Sequence, residues 1–164
     1  MPVAQPLDPG RELLEAFEHS CRVSEYLVDV LPSRVWRPEP ADSKGRSIAA
    51  IVAHIQSVRR MFAKMGGARP IPPALDRARS TPDEARRGLR QSREALTTLF
   101  REALTQGQPR VKGMPRRTVN MMIYLIQHDA HHGGQICALA RGLGHRLSQD
   151  DVMRIWGWKI LTPR

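Results

Sequence analysis

The sequence is poor in cysteine and aromatic residues and contains no long run of apolar side chains. Of its 164 residues, two are Cys and 5% are Phe, Trp or Tyr. Cys21 and Cys137 fall in separate helical patterns without metal-ligand spacing, which argues against a disulfide framework, and each is interpreted as a small apolar helix residue. The longest apolar stretch, Met121 to Ile126, is far shorter than the roughly 20 residues of a membrane helix.

The N-terminal segment MPVAQPLDPG lacks the basic and apolar regions of a signal peptide, so we expect a cytoplasmic protein. The composition, 41% hydrophobic and 26% charged, is that of an ordinary soluble protein. A chain of this length fits one domain with a substantial core, and we expect residues 1–164 to form a single helical domain.

Acidic residues are in deficit, with 16 Asp and Glu against 26 Lys and Arg, for a formal charge of +10. Such a charge attracts anions at long range. The arginines, however, are scattered over helices and loops without interleaved aromatic residues, and no recognisable nucleic-acid motif accompanies them. We therefore expect an anionic small-molecule substrate, and we do not expect nucleic-acid binding.

No stretch of useful length alternates in the manner of a β-strand, whereas four long segments repeat apolar residues at helical spacing. Proline- and glycine-rich stretches separate these segments, and a Ser148 to Asp151 cap precedes a short final helix carrying Trp156 and Trp158. The pattern predicts a four-helix bundle with a short fifth helix and a loop over 32–46, in which Trp36 folds back on apolar surface. The first predicted long helix spans residues 9–31 and the second spans about 47–65. The third begins at the capping box 81–84, and the fourth spans 118–141.

The segment His128-Asp129-Ala130-His131-His132 lies within the last long helix. Residues four apart stack on one helix face, so His128 and His132 present two imidazoles that can bind one metal ion. The zinc-protease motif is not met, because that motif needs Glu directly after the first histidine and this chain has Asp129.

Helical geometry places Met121, Leu125, His128, His132, Gln135 and Leu139 in one sector, which predicts that both histidines point at the core. Two histidines rarely suffice for tight Zn²⁺ binding. His54 is the best third candidate, because it interrupts an otherwise apolar helix, and His19 is a fallback ligand. On spacing alone, hydrogen-bonded core histidines without a metal are the more common case, because single motifs often arise by chance. His131 lies beside the sector as a group that supports the ligands or contacts substrate, and His145 is expected to be exposed.

A second face of the same helix is apolar or small in side-chain size. It is formed by Ile123, Ile126, Ala130, Gly133, Gly134 and Cys137. Small residues allow close approach of another helix, so this face predicts either a two-fold dimer or burial under the terminal Trp156 and Trp158 segment.

Two stretches, SIAAIVAHIQSVRRMF and IQHDAHHGGQICALARGLG, resemble the DinB and YfiT-like family. The resemblance implies an up-down-down-up four-helix bundle, commonly a homodimer, with a divalent metal such as zinc or nickel held by His54, His128 and His132. It also implies transferases and isomerases that use low-molecular-weight thiols such as bacillithiol, mycothiol or glutathione. The chain departs from the family at Gly133, where Arg is usual.

Two functional hypotheses follow. In the first, the protein is a metal-dependent enzyme in which the three histidines hold a divalent ion that activates a thiol for transfer or, as a variant, water for hydrolysis. Arg59, Gln135 and His131 are then candidate substrate or supporting contacts. In the second, the protein is a non-catalytic, stress-associated bundle with a structural metal or none, and its basic surface binds an acidic partner or nucleic acid.

Overall fold

A computed structural model describes residues 7–39, 46–157 and 159, which leaves the predicted position of Trp158 outside the described residues. Within these ranges the chain forms helices and no strand, and no helix is both long and apolar enough to span a bilayer. The helices are α1 (Pro9–Val30), α2 (Ser33–Trp36), α3 (Ile48–Met65), α4 (Pro82–Thr105), α5 (Thr118–Gly142) and α6 (Gln149–Ile155).

The helices begin where the sequence supplies capping residues. Asp8 accepts hydrogen bonds from the backbone N–H groups of Gly10 and Arg11, with Pro9 in the first turn of α1. Ser47 caps α3, and Thr81 with Glu84 forms a complete capping box on α4. These starts confirm the predictions, because capping depends on residues adjacent in the chain.

The segment predicted as a loop over 32–46 contains the short helix α2, which corrects that prediction. Pro32 (φ −70°) precedes a single helical turn that buries Val35 and Trp36 in the core. Trp36 covers apolar surface as predicted, and its indole N–H donates to the carbonyl of Ser80 at 2.9 Å. Trp156, predicted to lie in the final helix, is instead its C-cap and is 74% exposed.

Side-chain contacts define the directions of the four long helices. Ion pairs Asp29–Arg86, Glu25–Arg93 and Glu18–Arg101 run in opposite order along α1 and α4, so these helices are antiparallel. The α3 residues His54 and Phe62 contact His128 and Tyr124, so α3 and α5 are antiparallel as well.

The other two closely packed pairs of long helices, α1 with α5 and α3 with α4, are parallel. Cys21 and Leu27 of α1 lie beside Asp129 and Gly133 of α5, in the same order along both helices. Likewise, Arg59 and Gly66 in the α3 region lie beside Leu89 and Leu99 of α4. The bundle is therefore all-α with up-down-down-up order, as predicted.

A buried polar layer divides the core into two apolar halves. It consists of Ser24, Arg59, Ser92 and Asp129, which are all at most 3% exposed. The half beside the α4–α5 connection contains Phe17, Phe62, Leu96, Phe100, Met121 and Leu125, and the half beside α2 contains Leu27, Trp36, Ile51, Ile55, Leu89 and Ile136. The layer therefore brings charged groups to mid-height in the bundle, where α3 and α5 carry the histidines.

Candidate metal centre

His54 of α3 and His128 and His132 of α5 come together at the seam between the two helices. One ring nitrogen from each residue lies within 4.8 Å of the others. The Nε2 atoms of His128 and His54 are 3.3 Å apart, and the ring centroids of His54 and His132 are 4.8 Å apart. Residues 74 positions apart in the chain thus provide one cluster of three imidazoles.

The cluster lies at the surface of the bundle, so the prediction that both histidines of α5 point at the core is confirmed for His132 alone. His54 is exposed, His128 is half-buried and only His132 is buried. The centre of the buried face of α5 is occupied by Asp129, at 3% exposure, because it follows Met122 and Leu125 at helical spacing. The cluster therefore opens to solvent at His54 and lies against the core at His132.

Oxygen acceptors orient two of the three rings. Nδ1 of His128 lies 3.3 Å from Oδ1 of Asp129, and Nδ1 of His132 lies 2.8 Å from Oε1 of Gln135. An oxygen acceptor at Nδ1 favours the tautomer with the proton on that nitrogen, which leaves the lone pair on Nε2. Carboxylate or amide support of this kind is typical of metal-binding histidines.

Arg59 is buried, which excludes the direct substrate contact considered from the sequence. Its side chain is 0% exposed and donates to Oδ2 of Asp129 from Nε at 3.0 Å and from Nη2 at 2.6 Å. Sequence reasoning missed the structural role of Asp129, although a charged residue four positions after Leu125 on a buried helix face was a usable signal. An isolated carboxylate there would be costly, so a buried cationic partner was to be expected.

Burial and neighbouring positive groups lower the pKa of two histidines of the cluster, His54 and His132. Burial lowers the pKa of His54, and His132, His128, Arg46 and Arg77 lower it further. Burial also lowers the pKa of His132, reinforced by His128 and His131, and the hydrogen bond that His132 donates to Gln135 opposes part of this effect. Both imidazoles are therefore neutral at pH 7, which is the form that binds metal.

The other predicted residues occupy distinct positions. Gln135 links His132 to His131. Its Nε2 lies 3.0 Å from Nε2 of His131, whose ring is exposed, so both residues support the cluster from the solvent side. His19 is exposed on α1, outside the three-histidine cluster. His145 is half-buried rather than exposed, in the turn after α5, where its N–H donates to the carbonyl of Ala140.

The small-residue face of α5 is divided between burial and exposure. Gly133 is buried beside Leu27 of α1, which corrects its assignment to a face covered by a dimer partner or by the terminal segment. Cys137 is half-buried and shares a pocket of about 250 Å³ with Val152, Ile155 and Trp156, so the terminal helix covers that end. Ile123, Ala130 and Gly134 stay exposed in the single chain, and a homodimer through them stays a prediction.

Comparison with known proteins completes the description of this centre. Searches of the curated proteins and of the solved structures give no significant match. A sequence model of the DinB family matches residues 4–161, nearly the whole chain, and this range contains the three histidines. The chain belongs to the DinB family.

Proposed function

We propose that this protein is a divalent-metal-dependent enzyme that transfers a low-molecular-weight thiol to an electrophilic acceptor. The main observation behind this proposal is that three imidazole nitrogens, from His54, His128 and His132, lie within 4.8 Å of one another. Membership of the DinB family supports a metal at these positions. A histidine-only set of ligands suits zinc or nickel and leaves further coordination positions open.

The donor set passes a chemical test of fit to such an ion. No carboxylate belongs to the cluster of described ligand atoms, and the supporting groups Asp129 and Gln135 face Nδ1 rather than Nε2. With the Nε2 lone pairs of His128 and His132 both free, one proton on Nε2 of His54 can satisfy only one of them. A cation resolves this conflict, because each lone pair then has an acceptor of electron density.

A divalent ion held by the three histidines would act as a Lewis acid that lowers the pKa of a nearby thiol or water. The residues of the chain orient the ligands and favour a negatively charged substrate. Arg46 and Arg77 lie near enough to His54 for their charges to lower its pKa. His131 takes a hydrogen bond from Gln135 on Nε2, which leaves its Nδ1–H as a donor toward solvent or substrate.

Metal binding is tested first, by titrating the apo protein with Zn²⁺ and Ni²⁺ in a calorimeter. The His132→Ala variant should lose at least about tenfold in affinity, because a ligand nitrogen is removed while the helix keeps its packing. His19→Ala, at an exposed histidine outside the cluster, is the matched control and should bind like the wild type. Equal affinity in all three proteins would remove the proposed site.

Activity is tested with the metal-loaded protein, a thiol and an electrophile. Glutathione, mycothiol and bacillithiol are each mixed with a chlorodinitrobenzene, so that sulfur forms a bond to carbon, chloride leaves and the thiol proton passes to solvent. The wild type should consume thiol faster than buffer does, and His132→Ala should not. Metal binding without turnover of any thiol would retain the metal site and exclude this transfer reaction.

A further inference from the structure

We propose that Arg59 is a positioning residue of the metal centre, acting through Asp129 on His128. The inference rests on the proposed function, because it assigns Arg59 a role in metal binding. Arg59 itself touches none of the three histidines by hydrogen bond or ion pair among the described contacts. Its effect must therefore pass through the carboxylate that it holds.

The two oxygens of Asp129 have separate partners. Oδ2 accepts both hydrogen bonds from Arg59 and lies 3.9 Å from the Sγ of Cys21. Among the described residues, Oδ1 faces only Nδ1 of His128, at 3.3 Å. Because two donors on one oxygen define the rotation of the carboxylate, Arg59 directs the other oxygen at the imidazole. The carboxylate then keeps the proton of His128 on Nδ1 and its lone pair on Nε2.

The guanidinium group is itself held by every long helix. Nη2 lies 3.1 Å from Oγ of Ser24 and 3.5 Å from the carbonyl of Cys21, both on α1. Nη1 lies 3.5 Å from the carbonyl of Leu89 on α4. Arg59 lies on α3 and Asp129 on α5, so the orientation of His128 depends on the packing of all four helices.

Stability alone is a weak explanation for this pair. Replacing a buried ion pair by well-packed apolar residues is often neutral or stabilising, because removing two charges from water is costly. In this protein the pair also interrupts an otherwise apolar core between two hydrophobic halves. A role in orienting a metal ligand accounts for the pair and for the unequal use of its two oxygens.

The test compares Zn²⁺ affinity in paired substitutions. Arg59→Met alone leaves a buried carboxylate and is expected to fold poorly, so the informative variant is Arg59→Met with Asp129→Leu, which removes both charges. It should fold and bind Zn²⁺ about 10- to 100-fold more weakly than the wild type. The control is Arg93→Met with Glu25→Leu, which removes an ion pair between half-buried Arg93 on α4 and buried Glu25 on α1. Neither of these helices carries a histidine of the cluster. That control should keep the wild-type affinity.

A second measurement does not depend on metal. Long-range ¹⁵N–¹H spectra of the apo protein report which nitrogen of His128 carries the proton. The wild type should show Nδ1–H, and the double variant should shift toward Nε2–H. A folded double variant with the wild-type tautomer and wild-type Zn²⁺ affinity would overturn the role of Arg59. If the wild type binds no metal and the tautomer of His128 still changes in the double variant, the proposed function alone would be overturned.

Discussion

At the scale of the residue, the proposed metal binding depends on which nitrogen of each imidazole carries no proton. His128 and His132 could be recognised from their spacing, since positions four apart share a helix face. From the sequence, Asp129 was interpreted only as the residue that differs from the Glu of the zinc-protease motif. Its partner Arg59 lies 70 positions away, so their contact follows from the packing of α3 on α5 and not from any local pattern.

The lowered pKa values of His54 and His132 predict how stability depends on pH. Above their ordinary value of 6.5, both residues are neutral in the folded and the unfolded chain, so they add no pH dependence. As pH falls below that value, the unfolded chain takes up protons that the folded chain resists. The free energy of unfolding therefore decreases with falling pH in this window.

Urea unfolding of the apo protein at about pH 7.5 and about pH 5.5 measures this effect. The His132→Gln variant lacks one of the two titrating groups and should lose less stability over the same interval. Because carboxylates are unchanged in the variant, the difference between the two proteins isolates the imidazole. An identical loss in both proteins would contradict the lowered pKa of His132.

At the scale of the element, α5 combines His128 and His132 of the candidate metal centre with two adjacent glycines. Gly133 packs beside Leu27, where an added Cβ would lie 3.6 Å from the leucine side chain. Gly134 is exposed, and an added Cβ would meet no atom within 4 Å in the single chain. The helix therefore tolerates these glycines at a cost to its intrinsic stability, without a backbone conformation that requires them.

The Gly134→Ala variant should be more stable than the wild type by about 0.5 to 1 kcal/mol, because Ala loses less backbone entropy in a helix. Gly113→Ala is the contrasting variant. Gly113 has φ +85°, and a Cβ there would lie 2.1 Å from the carbonyl oxygen of Met65, so that variant should be destabilised. Urea unfolding measures both. A destabilised Gly134→Ala would indicate that another surface covers this position in solution.

At the scale of the whole molecule, the metal centre joins α3 and α5, whereas the polar layer behind it joins all four long helices. An ion held by the three histidines would link at the surface the same two helices that the Arg59–Asp129 pair links in the interior. The charge of +10 favours anionic ligands over the whole surface, but it does not select one.

Metal binding should raise the stability of the whole bundle. A ligand that binds only the folded state at a free concentration of about 100 times its Kd adds about 2.7 kcal/mol to the free energy of unfolding. Zn²⁺ at that concentration should therefore shift the urea midpoint upward in the wild type, and a chelator should reverse the shift. His132→Ala at the same Zn²⁺ concentration should show little change. A wild type that binds Zn²⁺ without any shift would mean that the unfolded chain binds the ion equally well.

Local sequence patterns were sufficient to predict the bounds of the long helices, their caps at Asp8, Ser47 and Thr81, and the two histidines on one face of α5. These features depend on residues within a few positions of one another, so local rules of helix geometry suffice. The sequence named His54 as the third candidate ligand, but tertiary packing places the cluster at the surface, buries Gly133 and brings Arg59 to Asp129. Those features depend on how each helix is rotated against its neighbours, which is set by packing across the bundle rather than by any single segment.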